Sequence, residues 1–214
     1  MSAWQDMIRR GLKSPDATRP RHLFKELNPA LDHAPILKSP PTQPRPASVL
    51  IGVRDSDDPT VILTLRSPTM PSHAGQISLP GGTPKKQDKG EVGTALRETK
   101  EEVGIHPDQI NVLGQLGPHF GGLGYVVTPV VGLVDPDATV HACPREVSEA
   151  FEVPLTALLD RDNHIVEQRT FNDVPYDMFA VPLFDTGGTK RNIWGLTAGI
   201  LRTFADVYRH DKDA

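Results

Sequence analysis

The chain has 214 residues, 37% hydrophobic and 23% charged, with 23 basic against 27 acidic side chains and a net charge of −4. That balance suits a soluble globular domain with a sizeable core, and it offers no overall attraction to nucleic acid or to an anionic membrane. The single cysteine, Cys143, excludes an intramolecular disulfide and a cysteine-based metal cluster, which fits a reducing cytoplasm.

In chain order, MSAWQDMIRRGLKS lacks an apolar run of signal-peptide length, and no stretch reaches the roughly 20 apolar residues of a membrane span. Residues 13–47 are rich in Pro and polar side chains and read as an extended arm, so residues 1–46 are set apart from a domain over 47–208 and a short tail over 209–214 that holds His210. ASVLIGV (47–53) and TVILTLR (60–66), around the polar RDSDDP, predict a β-hairpin. A short strand, QISL, is expected between the Pro- and Gly-rich ends of residues 67–82. A helix follows from about 89 to 103: Asp88 with Glu91 makes a capping box, and Gly104 is a natural stop. Val92, Ala95, Leu96, Thr99 and Val103 fall on one core-facing stripe of it. Strands are expected at 110–116, 125–134 and 178–184, a strand entering a short helix over 146–159, and an amphipathic helix over 195–210 against which Trp194 packs. Strands with interspersed helices indicate an α/β or α+β sandwich. No dinucleotide-binding glycine fingerprint and no P-loop occurs.

Away from the apolar stripe the helix carries Arg97, Glu98, Glu101 and Glu102. Glu98 is one turn from both Glu101 and Glu102, so the three carboxylates can converge, and their mutual repulsion would be relieved by a divalent cation. Oxygen ligands favour a hard ion, Mg²⁺ or Mn²⁺. The competing reading is a solvated charged face balanced by Arg97 and Lys100.

The neighbours of this helix shift the balance. Residues 82–105 resemble the Nudix box, G-x5-E-x7-R-E-U-x-E-E-x-G-U with U aliphatic, whose second half is matched by Arg97 through Ile105. Asp88 stands where the first glutamate is usual, the step from it to Arg97 is one residue longer, and Thr99 replaces an aliphatic residue. Upstream, LTLRSPTMPSHAGQISLPGG is similar to the accessory motif of coenzyme A pyrophosphatases, with Pro71 in place of a second arginine and Leu79 in place of a phenylalanine. TALRETKEE, VTPVVG, EVSEAFEVPL and IWGLTAGILR extend the likeness to that branch across residues 47 to about 208.

The resemblance implies an α/β/α sandwich with a mixed sheet and metal-dependent attack of water on a pyrophosphate. It implies metal ligation by Glu98 and Glu102, with Glu101 as a third ligand or a close neighbour of the ligands and the main-chain carbonyl of Gly81 or Gly82 as a further ligand, and Arg97 as a bidentate partner orienting a carboxylate. Glu98, Glu146 and Glu149 stand as alternatives for the base. Arg66, with Ser67, His73 and Gly75, is the candidate substrate contact, and Asp88 reads as a helix cap rather than a ligand. The expected substrate is coenzyme A or an acyl-coenzyme A. ADP-ribose, a dinucleotide or another nucleoside diphosphate derivative is the alternative. A third possibility is a non-catalytic nucleotide-binding regulator, which would not need the repulsive glutamates. A homodimer contact by the arm stays open.

Overall fold

The computed structural model describes residues 2–31, 43–69, 75–121 and 124–209. His73 and Pro71, and the tail with His210, lie outside the described residues. Helix α1 (Ala3–Gly11), a 3-10 turn at Pro15–Thr18 and helix α2 (Leu23–Leu27) precede the first strand. The extended arm expected for residues 13–47 is therefore corrected over its described part. Ile8, Ala17 and Leu23 are 1%, 0% and 5% exposed and belong to the main core. Pro15, which suggested an arm, sits at the start of the 3-10 turn, where a missing N–H is harmless.

The strands that follow are β1 (Arg45–Arg54), β2 (Thr60–Arg66), β3 (Ile77–Ser78) and β4 (Gly81–Gly82). After α3 (Gly90–Val103) come β5 (Ile110–Gln115), β6 (His119–Phe120), β7 (Tyr125–Val134) and β8 (Val147–Pro154). Helix α4 (Leu155–Leu159), strands β9 (Ile165–Phe171), β10 (Val174–Phe184) and β11 (Lys190–Trp194), and helix α5 (Gly195–Arg209) complete the order.

The principal sheet runs β3-β2-β1-β7-β5, with β4 added to β1, β6 to β7 and β8 to β2. Its central pair, β1 and β7, is parallel, with Leu50 opposite Val130, while the other pairings are antiparallel, so the sheet is mixed. A parallel pair is normally covered on both faces, and this one is. Leu50, Val130 and Val134 pack with Ala95, Val103 and Ile105 on the α3 side. Ile51, Val53, Val131 and Leu133 point the other way, into a core with Ile8 of α1 and Leu201 and Phe204 of α5. The layers are thus helix, mixed sheet, helix, in an α+β chain. A second, antiparallel sheet, β11-β10-β9, stands beside them.

Two details of α3 depart from expectation. Its N-cap is Lys89, with no side-chain cap bond, so the Asp88–Glu91 capping box does not form. Gly90 enters the helix at φ +69°, a left-handed turn that glycine tolerates. The stop at Gly104 is left-handed as well, its N–H bonded to the carbonyl of Lys100.

His119 of β6 is wholly buried, its ring bonded to the carbonyl of Gly117 and to Thr203 Oγ1 of α5, both at 2.9 Å. Burial lowers its pKa to about 4. An unfolded histidine binds a proton near pH 6.5, so the unfolded state gains protons first as pH falls, and stability drops from about 6.5 towards 4. Chemical denaturation at pH 7 and pH 5 should show about 2 kcal/mol lost by wild type beyond the change in a His119→Gln variant. Parallel pH profiles of the two proteins would contradict the assignment.

Candidate active site

The C-terminal half of α3 lies across β4 and places two carboxylates at the mouth of a cleft of about 530 Å³. Glu98 is 8% and Glu102 2% exposed. The side opposite the apolar stripe is therefore not simply solvent-facing: it looks into the cleft. The N–H of Gly81 donates to Glu102 Oε2 at 3.1 Å, and Arg66 Nη1 stands 3.7 Å from Glu102 Oε1. Burial, first of all, pushes the Glu102 carboxyl up to about 7; Glu98 and Glu146 act in the same sense, while the Gly81 N–H and Arg66 oppose it. Burial likewise raises Glu98 against the pull of Arg97.

Arg97 holds this arrangement from behind. Its Nε and Nη2 bind the two oxygens of Asp88 at 2.8 and 3.0 Å, Nη2 also donates to the carbonyl of Thr83, and Nη1 is 2.8 Å from both Glu98 and Glu101. The bidentate partner is thus Asp88, which also accepts from Thr94 Oγ1 and the N–H of Lys85. These bonds, led by those of Arg97, hold the Asp88 carboxyl far below the usual range. The Asp88 side chain anchors an arginine, and the helix-cap reading of it is corrected. Five oxygens from four residues surround one planar fork and fix the guanidinium, and through it the rotamer of Glu98.

Glu101 does not join the other two. Its side chain is 43% exposed and is taken by Lys85 Nζ at 2.9 Å and by Arg97, which together lower its pKa. Of the three glutamates, Glu98 and Glu102 are buried at the cleft, while Glu101 meets Glu98 on Arg97 Nη1 but stays on the exposed side, within reach of a lysine from the preceding loop.

The remaining expected residues divide. Arg66 lines the cleft with its Nε buried and without a hydrogen-bond partner. Glu146 lines it too, close enough to raise the Glu102 pKa. Ser67 does not: its hydroxyl bonds Thr69 Oγ1 at 2.8 Å, and it is absent from the cleft wall. Gly75 is exposed at φ +69°, and its N–H donates to the Arg66 carbonyl. Glu149 is committed to a bidentate ion pair with Arg191, which also holds Asp185 at 2.7 Å. An acid already neutralised in this way makes a poor base. Trp194 lines the cleft beneath the guanidinium of Arg169, 4.3 Å above its ring, instead of packing only on α5.

Among the described residues no three metal-binding side chains are gathered ready-made. The pair that does meet nevertheless suits a hard divalent cation. Two carboxylates lie buried one turn apart: Glu98 is held by Arg97 at 2.8 Å, whereas Glu102 has Arg66 at 3.7 Å and one N–H for compensation, so a second positive charge beside Glu102 would be favourable. The space in front of Glu98 exists because position 82 lacks a side chain: a Cβ there would fall 2.6 Å from Glu98 Cδ and Oε1. Gly81 approaches β1 as closely, its missing Cβ lying 2.6 Å from Val49 Cα.

Comparison with known proteins gives a consistent answer. The NUDIX domain family model matches residues 43–174. The chain is 40% identical over 161 residues to a protein of Photorhabdus laumondii named uncharacterized Nudix hydrolase NudL, covering 75% of this chain and 83% of that one. A protein of the same name from Yersinia enterocolitica is 39% identical over 159 residues, covering 74% and 79%. Among solved structures, a MutT protein from Methanosarcina mazei aligns with a TM-score of 0.44 and 23% identity over 55% of this chain and 83% of that chain.

Proposed function

The chain belongs to the Nudix hydrolase family, and from that premise we propose that it hydrolyses the pyrophosphate bond of coenzyme A or an acyl-coenzyme A, releasing 3′,5′-ADP and 4′-phosphopantetheine or its acyl form. The observation that carries the hydrolytic part is the buried pair Glu98 and Glu102 facing a cleft through the Gly81–Gly82 strand. The coenzyme A part rests on the accessory motif around Arg66 and on the wider likeness of residues 47–208 to that branch.

Glu98 and Glu102, with the main-chain carbonyl of Gly81, would hold Mg²⁺ or Mn²⁺. Bound there, the ion supplies Lewis-acid polarisation of crowded phosphoryl oxygens. The chain's own groups do the rest. Arg66, the basic side chain among the described residues lining the cleft, is the donor we assign to a substrate phosphate. Arg97, saturated by its own partners, keeps Glu98 in place instead of touching substrate. Glu146 is the acid we assign to take the proton of the attacking water, since Glu149 is held by Arg191.

Product analysis tests both parts. Purified protein incubated with coenzyme A, ADP-ribose or NADH and Mn²⁺ should release 3′,5′-ADP from coenzyme A. Glu146→Gln should lower kcat by about 10²-fold or more and Glu149→Gln by less than about threefold. Turnover of ADP-ribose or NADH without coenzyme A would move the substrate assignment. Equal losses in the two variants would remove Glu146 from its role.

A further inference from the structure

The cleft wall has two parts of different character. Arg66, Gly81, Gly82, Glu98, Glu102 and Glu146 all fall inside the family-matched span, residues 43–174. Much of the apolar part comes from outside that span: Phe24 and Leu27 of α2, Met178 and Phe179 of β10, and Trp194 and Leu196 at the β11–α5 junction. We infer that α2 is a specificity wall, with Phe24 and Leu27 selecting substrates whose group beyond the pyrophosphate is an uncharged aliphatic tail. The inference rests on the reading of the cleft as a pyrophosphohydrolase site and adds to it a determinant from the N-terminal segment.

Three observations support it. Helix α2 is docked firmly: Asn28, 7% exposed, exchanges two bonds with the backbone of Asp177 on β10, donating at 2.9 Å and accepting at 2.7 Å. On α5, Leu23 packs so closely over Gly199 that any Cβ there would overlap Leu23 Cδ1. The second observation is charge. Among the described residues lining the cleft, Arg66 is the one basic side chain, and Arg169 and Arg202 stand behind Trp194 and Phe179 with the rings between, so the surface offered there is uncharged. The third is the state of the rings. Phe24 packs on Tyr176 at 5.8 Å, Phe120 stacks on His22 at 3.9 Å, and Trp194 lies beneath Arg169. Each of these partners takes up one side of its ring, and Leu27, Met178 and Leu196 add aliphatic surface to the same wall, which suits a flexible chain.

The experiment compares coenzyme A, hexanoyl-coenzyme A and ADP-ribose on wild type, Phe24→Ala and Leu27→Ala. Alongside, the fluorescence of Trp194, in a Trp4→Phe background, is titrated with S-hexanoyl-pantetheine, which has no phosphate. Wild type should show a lower KM for the hexanoyl form than for free coenzyme A. Each variant should raise that KM about tenfold with kcat within about twofold, shift the KM for coenzyme A less, and leave the constants for ADP-ribose in place. A hexanoyl KM unmoved by both variants, or equal shifts for all substrates, would overturn the inference while leaving the hydrolytic reading intact. If wild type cleaves none of the three, the hydrolytic reading fails and the titration decides. Saturable quenching weakened about tenfold by Phe24→Ala upholds the wall, and its absence in wild type overturns it.

Discussion

Replacing Glu102 by glutamine should abolish turnover and, at the same time, stabilise the metal-free protein. The activity loss should be on the order of 10³-fold, the kinetic equivalent of the several kcal/mol that a bound cation contributes to charge stabilisation. The gain in stability follows from a carboxyl that is 2% exposed and pushed up to about 7. An acid whose folded pKa lies above its unfolded value stabilises the folded state below the unfolded value. That contribution is lost as pH rises through about 7. Above that point the wild type holds a poorly compensated buried charge that glutamine removes. The variant should therefore be more stable by up to about 3 kcal/mol at pH 8, narrowing to about 1 kcal/mol at pH 5. Mn²⁺ should raise the Tm of wild type and leave that of the variant nearly unchanged, because only the wild type gains a ligand that binds the folded state. Urea unfolding across that pH range, with and without Mn²⁺, checks all three statements. A variant less stable than wild type at every pH would show that Glu102 is a structural acid whose charge the fold already satisfies.

The second large effect separates two adjacent glycines. Gly81→Ala should cost about 3 kcal/mol or more, because its Cβ would lie 2.6 Å from Val49 Cα and strand β1 cannot yield without disturbing the centre of the sheet. Gly82→Ala should cost about 1 kcal/mol or less and yet reduce kcat about 10- to 100-fold. There the clash is with the carboxyl end of Glu98, a side chain that can rotate away, but only by leaving its bond with Arg97 and the mouth of the cleft. Thermal unfolding and steady-state kinetics on the pair would show the contrast. Similar destabilisation in both, with activity tracking folded fraction, would mean that Gly82 serves the backbone alone.

Much of the frame was legible because hydrophobic periodicity is a local signal. The hairpin, the long helices and the central strand each carry β-branched runs or a helical stripe, and they form where expected. Strands β9 and β11 escaped notice because their sequences, IVEQRTF and KRNIW, are half polar, as suits the edges of a small sheet. The N-terminal segment misled through its prolines, while its anchors, Ile8, Ala17 and Leu23, are too widely spaced to make a pattern. At the site, residue types were readable and partnerships were not. Asp88 and Glu91 have capping-box spacing, yet Asp88 is engaged nine residues on, by Arg97. Nothing local says that Lys85 takes Glu101 or that Arg191 takes Glu149. Such ion pairs are decided by the meeting of distant segments.

The manner in which α3 begins and ends bears on how this site tolerates change in length. Its start is soft, with no side-chain cap and a left-handed glycine at position 90, whereas its finish at Gly104 is fixed by a backbone bond and by the burial of Val103 and Ile105. Glu98 and Glu102 are thus registered backwards from the helix end. Length variation in the segment from 83 to 90 can thus accumulate without moving the two carboxylates, so long as one acidic side chain still reaches Arg97. Deleting Val103 would rotate the pair out of the cleft by about 100°, and deleting one residue between Glu98 and Glu102 would turn Glu98 away from its partner by the same angle.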